Sequence, residues 1–226
     1  MSGGYRISVL VPARDERESL PAMLEELPKD LIHEIIVVDG HSNDGTPQLV
    51  RKLGYRVITQ QGRGYGMAVI SGLRAAGGDL VTFMDADGSF DPKELPRLLE
   101  LIEQGYDIVF CSRYLPGAGS DDDTFIRKLG NKIFTVLLRT MFGVRLSDAL
   151  FFYALGKKAV FARLDLECKD FALCVEVPIK VHRAGYKYTE IASTERRRLA
   201  GVSKVNAALD GLRILAAMLK LRFGGR

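Results

Sequence analysis

Apolar positions along this chain follow two alternating rhythms. Short continuous runs rich in β-branched residues, at 7–11, 34–39, 55–59, 80–84 and 107–111, read as strands buried on both faces. Between them the apolar positions take helical spacing: Leu20, Met23 and Leu24 in 20–27, then 46–54, then Met67, Val69, Ile70 and Leu73 in 62–77, then 91–105. The punctuation agrees. Pro12 stops the first run, Thr46 and Pro47 read as N-cap and first helical residue, and Gly54 closes that helix. Asp91-Pro92-Lys93-Glu94 is a capping-box-like start. Buried strands alternating with helices predict an α/β fold, a mostly parallel sheet with helices on both faces.

The second half is less regular. Residues 115–123 are rich in Gly, Pro and Asp and read as a mobile loop, 125–144 as a helix, 150–155 as a strand and 157–164 as a short helix. The stretch 171–184 is apolar around Glu176, with its helical part expected from Pro178 to Gly185 and a strand at 186–192. A final amphipathic helix, 202–223, carries Leu209, Leu212, Leu215, Met218 and Leu219. The apolar stripes of 125–144 and 202–223 have basic flanks, which leaves two readings: packing on the domain core, or shallow insertion at an anionic membrane surface.

Length and composition fit one domain with a sizeable core: 226 residues, 47% hydrophobic. The net charge of +4 is unevenly placed, with acids in the first half and bases crowding 127–145 and 180–226. That asymmetry points to phosphate, a membrane surface or nucleic acid. Aromatic residues are not interleaved with the basic run as single-strand binding requires, so no nucleic-acid partner is expected. Cys111, Cys168 and Cys174 have neither disulfide-framework nor zinc-site spacing, which suits a reducing compartment. The first apolar run is interrupted at residues 14–17, unlike a signal peptide. No apolar run reaches the roughly 18–20 residues of a membrane span. A cytoplasmic protein, peripheral at the inner face of the membrane, is the expectation.

The chemistry concentrates at strand ends. Asp39 closes the second strand, and Asp85 and Asp87 follow the fourth. In open α/β sheets ligands sit at the carboxyl ends of strands, and residues i and i+2 share a face. Two converging carboxylates suit Mg²⁺ or Mn²⁺ bound together with substrate phosphates; as a lone pair they could equally be turn and cap residues. Gly62-Arg63-Gly64-Tyr65-Gly66 is off-pattern for dinucleotide binding and follows a third strand. It reads as a turn contacting a nucleotide through Arg63 or backbone. His33, His41 and His182 belong to no catalytic constellation.

Several segments, in order, resemble one family. Val11-Pro-Ala-Arg-Asp-Glu16 is similar to V-P-A-x-N-E, and residues 37–46 to V-V-D-D-x-S-x-D-G-T. Residues 75–79 followed by Asp85-Ala86-Asp87 resemble A-x-G-D…D-A-D. Cys111-Ser-Arg113-Tyr114 resembles G-S-R-Y, and residues 198–204 resemble R-x-x-G-x-S-K. Together they resemble the GT-A-fold, family 2 inverting glycosyltransferases, and within them the dolichyl- or polyprenyl-phosphate mannose synthase branch. Asp15 and Gly40 depart from the family's asparagine and second aspartate. The Q-x-x-R-W pattern of polymerising synthases is absent.

The resemblance implies a set of roles. Asp85, Ala86 and Asp87 would meet the donor diphosphate, with Asp85, Asp87 and Ser89 at a Mg²⁺ or Mn²⁺ ion acting as Lewis acid on the leaving group. Pro12, Ala13, Glu16, Asp39 and Arg63 would line the nucleotide pocket. Arg113, Arg127, Arg198 and Lys204 would grip the acceptor phosphate. Asp87, Arg113, Arg127 and Asp148 are the implied catalytic set, with Asp148 the candidate base should one be required. A lipid phosphate is already ionised near neutral pH, which lessens that requirement. Residues 1–112 would form the nucleotide-sugar half and 113–226 the acceptor half, with membrane-surface helices. GDP-mannose is the first donor and UDP-glucose or UDP-GlcNAc the alternative; polyprenyl or dolichyl phosphate is the first acceptor and a soluble acceptor the alternative. A nucleotidyltransferase would need a Gly-rich phosphate loop near 7–16, which is absent. A non-catalytic basic membrane-binding module is the remaining rival.

Overall fold

The computed structural model describes residues 4–204 and 206–224. Strands β1 (Ile7–Ala13), β2 (Ile32–Asp39), β3 (Arg56–Thr59), β4 (Leu80–Phe83), β5 (Ile108–Ser112), β7 (Ala154–Lys157) and β8 (Tyr188–Ala192) form one sheet in the order β3-β2-β1-β4-β7-β5-β8. All pairings are parallel except those of β7, which runs antiparallel to β4 and β5. A separate parallel pair joins β6 (Gly119–Ser120) to β9 (Thr194–Glu195). The helices are α1 (Leu20–Glu26), α2 (Thr46–Lys52), α3 (Tyr65–Ala75), α4 (Leu95–Glu103), α5 (Phe125–Phe142), α6 (Lys158–Arg163), α7 (Leu173–Arg183) and α8 (Ala207–Phe223).

Strand alternation divides the core between the two sheet faces. On β1, Val9 and Val11 join α1 and α4 through Leu20, Met23, Leu24, Leu95 and Leu98. Leu10, between them, faces the other layer with Val69 of α3 and Val175 and Ile179 of α7. Burial on both faces explains why these strands read as unbroken apolar runs.

Five local expectations change. Gly45, at φ 88°, takes the cap of α2, and Thr46 is its first residue, bonded to the Asp44 carboxylate through N–H (2.9 Å) and Oγ1 (2.6 Å). The strand expected at 150–155 lies at 154–157, because Phe151 and Tyr153 are drawn onto Phe90, the Tyr153 ring stacking at 5.0 Å. Helix α7 starts at Leu173, with Pro178 inside it; Asp170 bonds the Ala172 N–H at 3.0 Å, and burial of 173–179 outweighs the proline's interior cost. The final helix starts at Ala207, capped by Asn206, five residues later than expected. The 115–123 loop is tied down through the β6–β9 pair.

Helix α8 packs against α5 and α7. Yet Phe125, Ile126, Leu129, Ile133 and Val136 of α5, and Leu209, Leu212, Leu219 and Phe223 of α8, are exposed. The core-packing reading therefore holds for Met218, and in part for Leu137, but not for most of either stripe; the buried residues Leu138 and Ile214 lie beside the stripes. Among the described residues no helix is long and apolar enough to cross a membrane.

Candidate active site

Parallel pairing brings the carboxyl ends of β1, β2 and β4 to one edge. Ala13 lies opposite Asp39 in the ladder, and Met84 N–H, just past β4, donates to Leu10 O at 3.0 Å. Asp39 is buried, and its carboxylate accepts weakly from Ser42 N–H at 3.3 and 3.4 Å. The two departures from the family pattern have local explanations. Asp15, at φ 50°, accepts from Asn43 N–H at 2.8 Å, while its own N–H donates to Ser42 Oγ at 2.9 Å. At Gly40 a Cβ would lie 3.2 Å from Arg14 Cβ, so a side chain there requires Arg14 to give by a few tenths of an ångström.

Asp85 and Asp87 occupy the turn after β4. Asp87 Oδ1 accepts from Ser89 N–H at 2.9 Å, which uses the Ser89 backbone within the turn. Asp87 Oδ2 accepts from Arg198 Nη2 at 2.6 Å. Asp85 Oδ1 accepts from the Tyr65 hydroxyl at 3.3 Å. Burial first, and then the charge of Asp87, push the Asp85 carboxyl up to about 8. Asp87 has the Arg198 guanidinium, but Asp85 has no cationic partner in direct contact among the described residues, and two carboxylates this close suit a divalent cation, the fit their hard oxygen donors also indicate. Among the described residues no group of three or more His, Cys, Asp or Glu converges, so substrate oxygens would have to complete such a site.

Residues 196–199 close over this turn. Leu199 N–H donates to Asp87 O at 2.8 Å, Arg196 N–H to Ser89 O at 2.8 Å, and Arg196 Nη2 to the Gly88 and Phe90 carbonyls. Arg198 uses one donor on Asp87; its Nε and Nη1 are buried without a partner among the described residues. An unpaired buried donor is costly, so this guanidinium is poised for an anion.

Arg113 sits deeper. Its Nε and Nη2 grip Asp148 at 2.7 and 3.0 Å, its Nη1 meets Glu195 Oε2 at 2.9 Å, and its guanidinium carbon lies 4.8 Å from the Phe151 ring centre. Burial works against the charge, but Asp148 and then Glu195 outweigh it and hold Arg113 firmly protonated. Asp148 also accepts from Asn131 Nδ2 at 2.8 Å and from the Arg113 and Leu150 N–H groups. With those donors on a buried carboxylate, its geometry is that of a brace.

The remaining expected residues divide. Glu16 receives Lys204 Nζ at 2.6 Å, so a lysine expected at the acceptor meets a residue expected at the nucleotide. Arg127 pairs with Asp122 at 2.9 Å and, among the described residues, bonds to none of the other expected site residues. Arg63 is exposed, and Pro12 and Ala13 lie along the β1 end. The glycines beside Arg63 have a packing purpose: a Cβ at Gly64 would lie 2.3 Å from Lys169 O, and one at Gly66 2.2 Å from Cys168 O. Sequence reasoning missed Tyr65, Asn131 and Glu195. Asn131 was within reach, one helical turn after Arg127 and so on the same face; Glu195 and Tyr65 carry no such periodic signal.

The sequence model described as glycosyl transferase family 2 matches residues 8–165, from β1 through α6. The chain belongs to that family. It is a glycosyltransferase of GT-A fold. Among similar proteins, the dolichyl-phosphate hexose transferase of Haloferax volcanii is 30% identical over 220 residues, covering 95% of this chain and 93% of that one. The undecaprenyl-phosphate mannosyltransferase of Micrococcus luteus is 31% identical over 220 residues, covering 91% and 90%. In fold, the glucosyl-3-phosphoglycerate synthase of Mycobacterium tuberculosis, solved with Mn²⁺ and UDP-glucose, superposes with a TM-score of 0.75 at 22% identity, covering 99% of this chain and 80% of that one.

Proposed function

We propose that this glycosyltransferase moves a hexose, foremost mannose from GDP-mannose, onto a polyprenyl phosphate with inversion at the anomeric carbon. The observation that carries the reading is the meeting of Arg198 and Asp87. A guanidinium with two buried donors that no described residue satisfies stands beside two converging carboxylates, one of which, Asp85, is pushed up to about 8 by burial and by the charge of Asp87. Anion and cation sites side by side suit a reaction with a diphosphate leaving group and a phosphate nucleophile. The names of relatives with mannosyl and hexosyl transfer to lipid phosphates support the same substrates.

In this reading Asp85 and Asp87 hold Mg²⁺ or Mn²⁺, which when bound supplies charge neutralisation to the departing nucleoside diphosphate. Asp39 and Glu16 line the nucleotide edge beside Pro12, Ala13 and Arg63. Arg198 and Arg113 orient the acceptor phosphate, and Arg127 and Lys204 add charge at the periphery. One phosphate oxygen forms the new bond to C1 as the bond from C1 to the diphosphate breaks. That oxygen is ionised near neutral pH, so no strong base is needed. Asp148 then acts by bracing Arg113. The exposed faces of α5 and α8, helices that also carry Arg127, Lys128, Lys132, Arg213 and Arg222, rest on an anionic membrane surface.

The test is product analysis with GDP-mannose, UDP-glucose and UDP-GlcNAc. Each is offered with a short polyprenyl phosphate and, separately, with 3-phosphoglycerate, in Mg²⁺, Mn²⁺ or EDTA. Glycosyl polyprenyl phosphate formed from GDP-mannose and lost in EDTA is expected. Turnover of a UDP-sugar onto the soluble acceptor alone would overturn both donor and acceptor.

A further inference from the structure

Glu176 lies wholly buried in α7 and takes no part in the chemistry above. Its two carboxylate oxygens accept the N–H groups of Glu167 and Cys168, both at 2.8 Å, and Lys180 Nζ lies 2.8 Å from Oε1. Those bonds clamp the loop before α7. The loop in turn meets the first turn of α3 backbone to backbone. Lys169 O accepts from Met67 N–H at 3.1 Å, and Gly64 and Gly66 leave no room for a Cβ against the Lys169 and Cys168 carbonyls. Neither segment can shift without the other. Between the two glycines stands Tyr65, its ring 5.7 Å from Phe171 of the same loop and its hydroxyl donating to Asp85 Oδ1.

We infer that Tyr65 and Glu176 are positioning residues for Asp85: the phenol fixes the rotation of the carboxylate, and the glutamate fixes the phenol through the 167–170 loop and the first turn of α3. The inference rests on the reading of Asp85 as a metal and diphosphate ligand. Tyr65 is the one hydrogen-bond donor to the Asp85 carboxylate among the described residues, so without it no hydrogen bond fixes the rotation of that carboxylate. Partners that orient a ligating group commonly change metal affinity by roughly 10–100-fold when removed.

The experiment is Mn²⁺ titration followed by electron paramagnetic resonance of the free ion, in GDP and in UDP. The proteins are wild type, Tyr65→Phe, Glu176→Gln, the double variant and Asp85→Asn. Tyr65→Phe keeps the ring against Phe171 and removes only the hydroxyl. It is expected to weaken Mn²⁺ binding about tenfold while the urea midpoint stays near wild type. Glu176→Gln is expected to weaken it in the same sense, and the double variant to fall short of the product of the two effects, because both act through one hydroxyl. Unchanged affinity in Tyr65→Phe, with Asp85→Asn abolishing binding, would overturn the inference and leave the function standing. Effects that multiply independently would remove Glu176 from the pathway and overturn the coupling. Retained Mn²⁺ binding in Asp85→Asn would instead overturn the metal reading itself.

Discussion

Arg198 donates to Asp87 Oδ2 at 2.6 Å, joining residues 111 positions apart in the chain. The contact puts a residue of the basic half against the aspartate expected to hold a cation. Removing the guanidinium frees that oxygen and deletes the donor proposed for the acceptor phosphate. Arg198→Ala is therefore expected to tighten Mn²⁺ binding and to raise KM for the acceptor. A charge-assisted hydrogen bond contributes about 1.5–3 kcal/mol, so the KM change should be roughly tenfold or more. Calorimetric Mn²⁺ titration and initial rates against acceptor concentration check the two directions; movement of both in the same sense refutes the arrangement.

The raised Asp85 carboxyl predicts an unusual pH profile for the metal-free protein. In the unfolded chain this group titrates near 3.8, whereas in the fold it holds its proton up to about 8. Between those values the folded state binds more protons than the unfolded state, so stability falls as pH rises through the window. In EDTA, the melting temperature should decline from pH 5 toward pH 8. Asp85→Asn should flatten that decline and raise the melting temperature at the alkaline end. A wild-type profile parallel to that of the variant sinks the prediction.

Asp148 and Arg113 are a buried ion pair, 0% and 9% exposed in their side chains. Breaking such a pair leaves an uncompensated charge, at a cost of about 3–5 kcal/mol. Asp148→Asn should lose that order of stability in urea unfolding, and Glu195→Gln, whose carboxylate is partly in solvent, clearly less. If the two variants are equally mild, Asp148 is not the brace described above.

The exposed stripes of α5 and α8 give a separate prediction. Replacing Ile133 and Leu212 by Ser removes apolar surface that is half-exposed or more, so the urea midpoint should hardly move. Sedimentation with vesicles of phosphatidylglycerol and phosphatidylcholine should show reduced binding. Wild-type binding should weaken with salt, because each basic residue near an anionic surface contributes about 1 kcal/mol. Salt-independent binding, or none, removes the membrane from the reading.

What the sequence determined by itself is local. Unbroken apolar runs and 3.6-residue spacing disclose the α/β alternation, and strand ends disclose Asp39, Asp85 and Asp87, since these features arise within a few residues. The ordered motifs carried the family for the same reason. What only the tertiary structure decided lies between distant segments. It inserts β7 antiparallel between β4 and β5, runs α7 through Pro178, and leaves most of the α5 and α8 stripes uncovered. It sets Arg113 between Asp148 and Glu195, and the Tyr65 hydroxyl against the Asp85 carboxylate. A periodic pattern reports which face of an element is apolar; it cannot report what covers that face, or which distant carboxylate meets which guanidinium. Those outcomes follow from packing and from pairing charge in a poorly solvated interior.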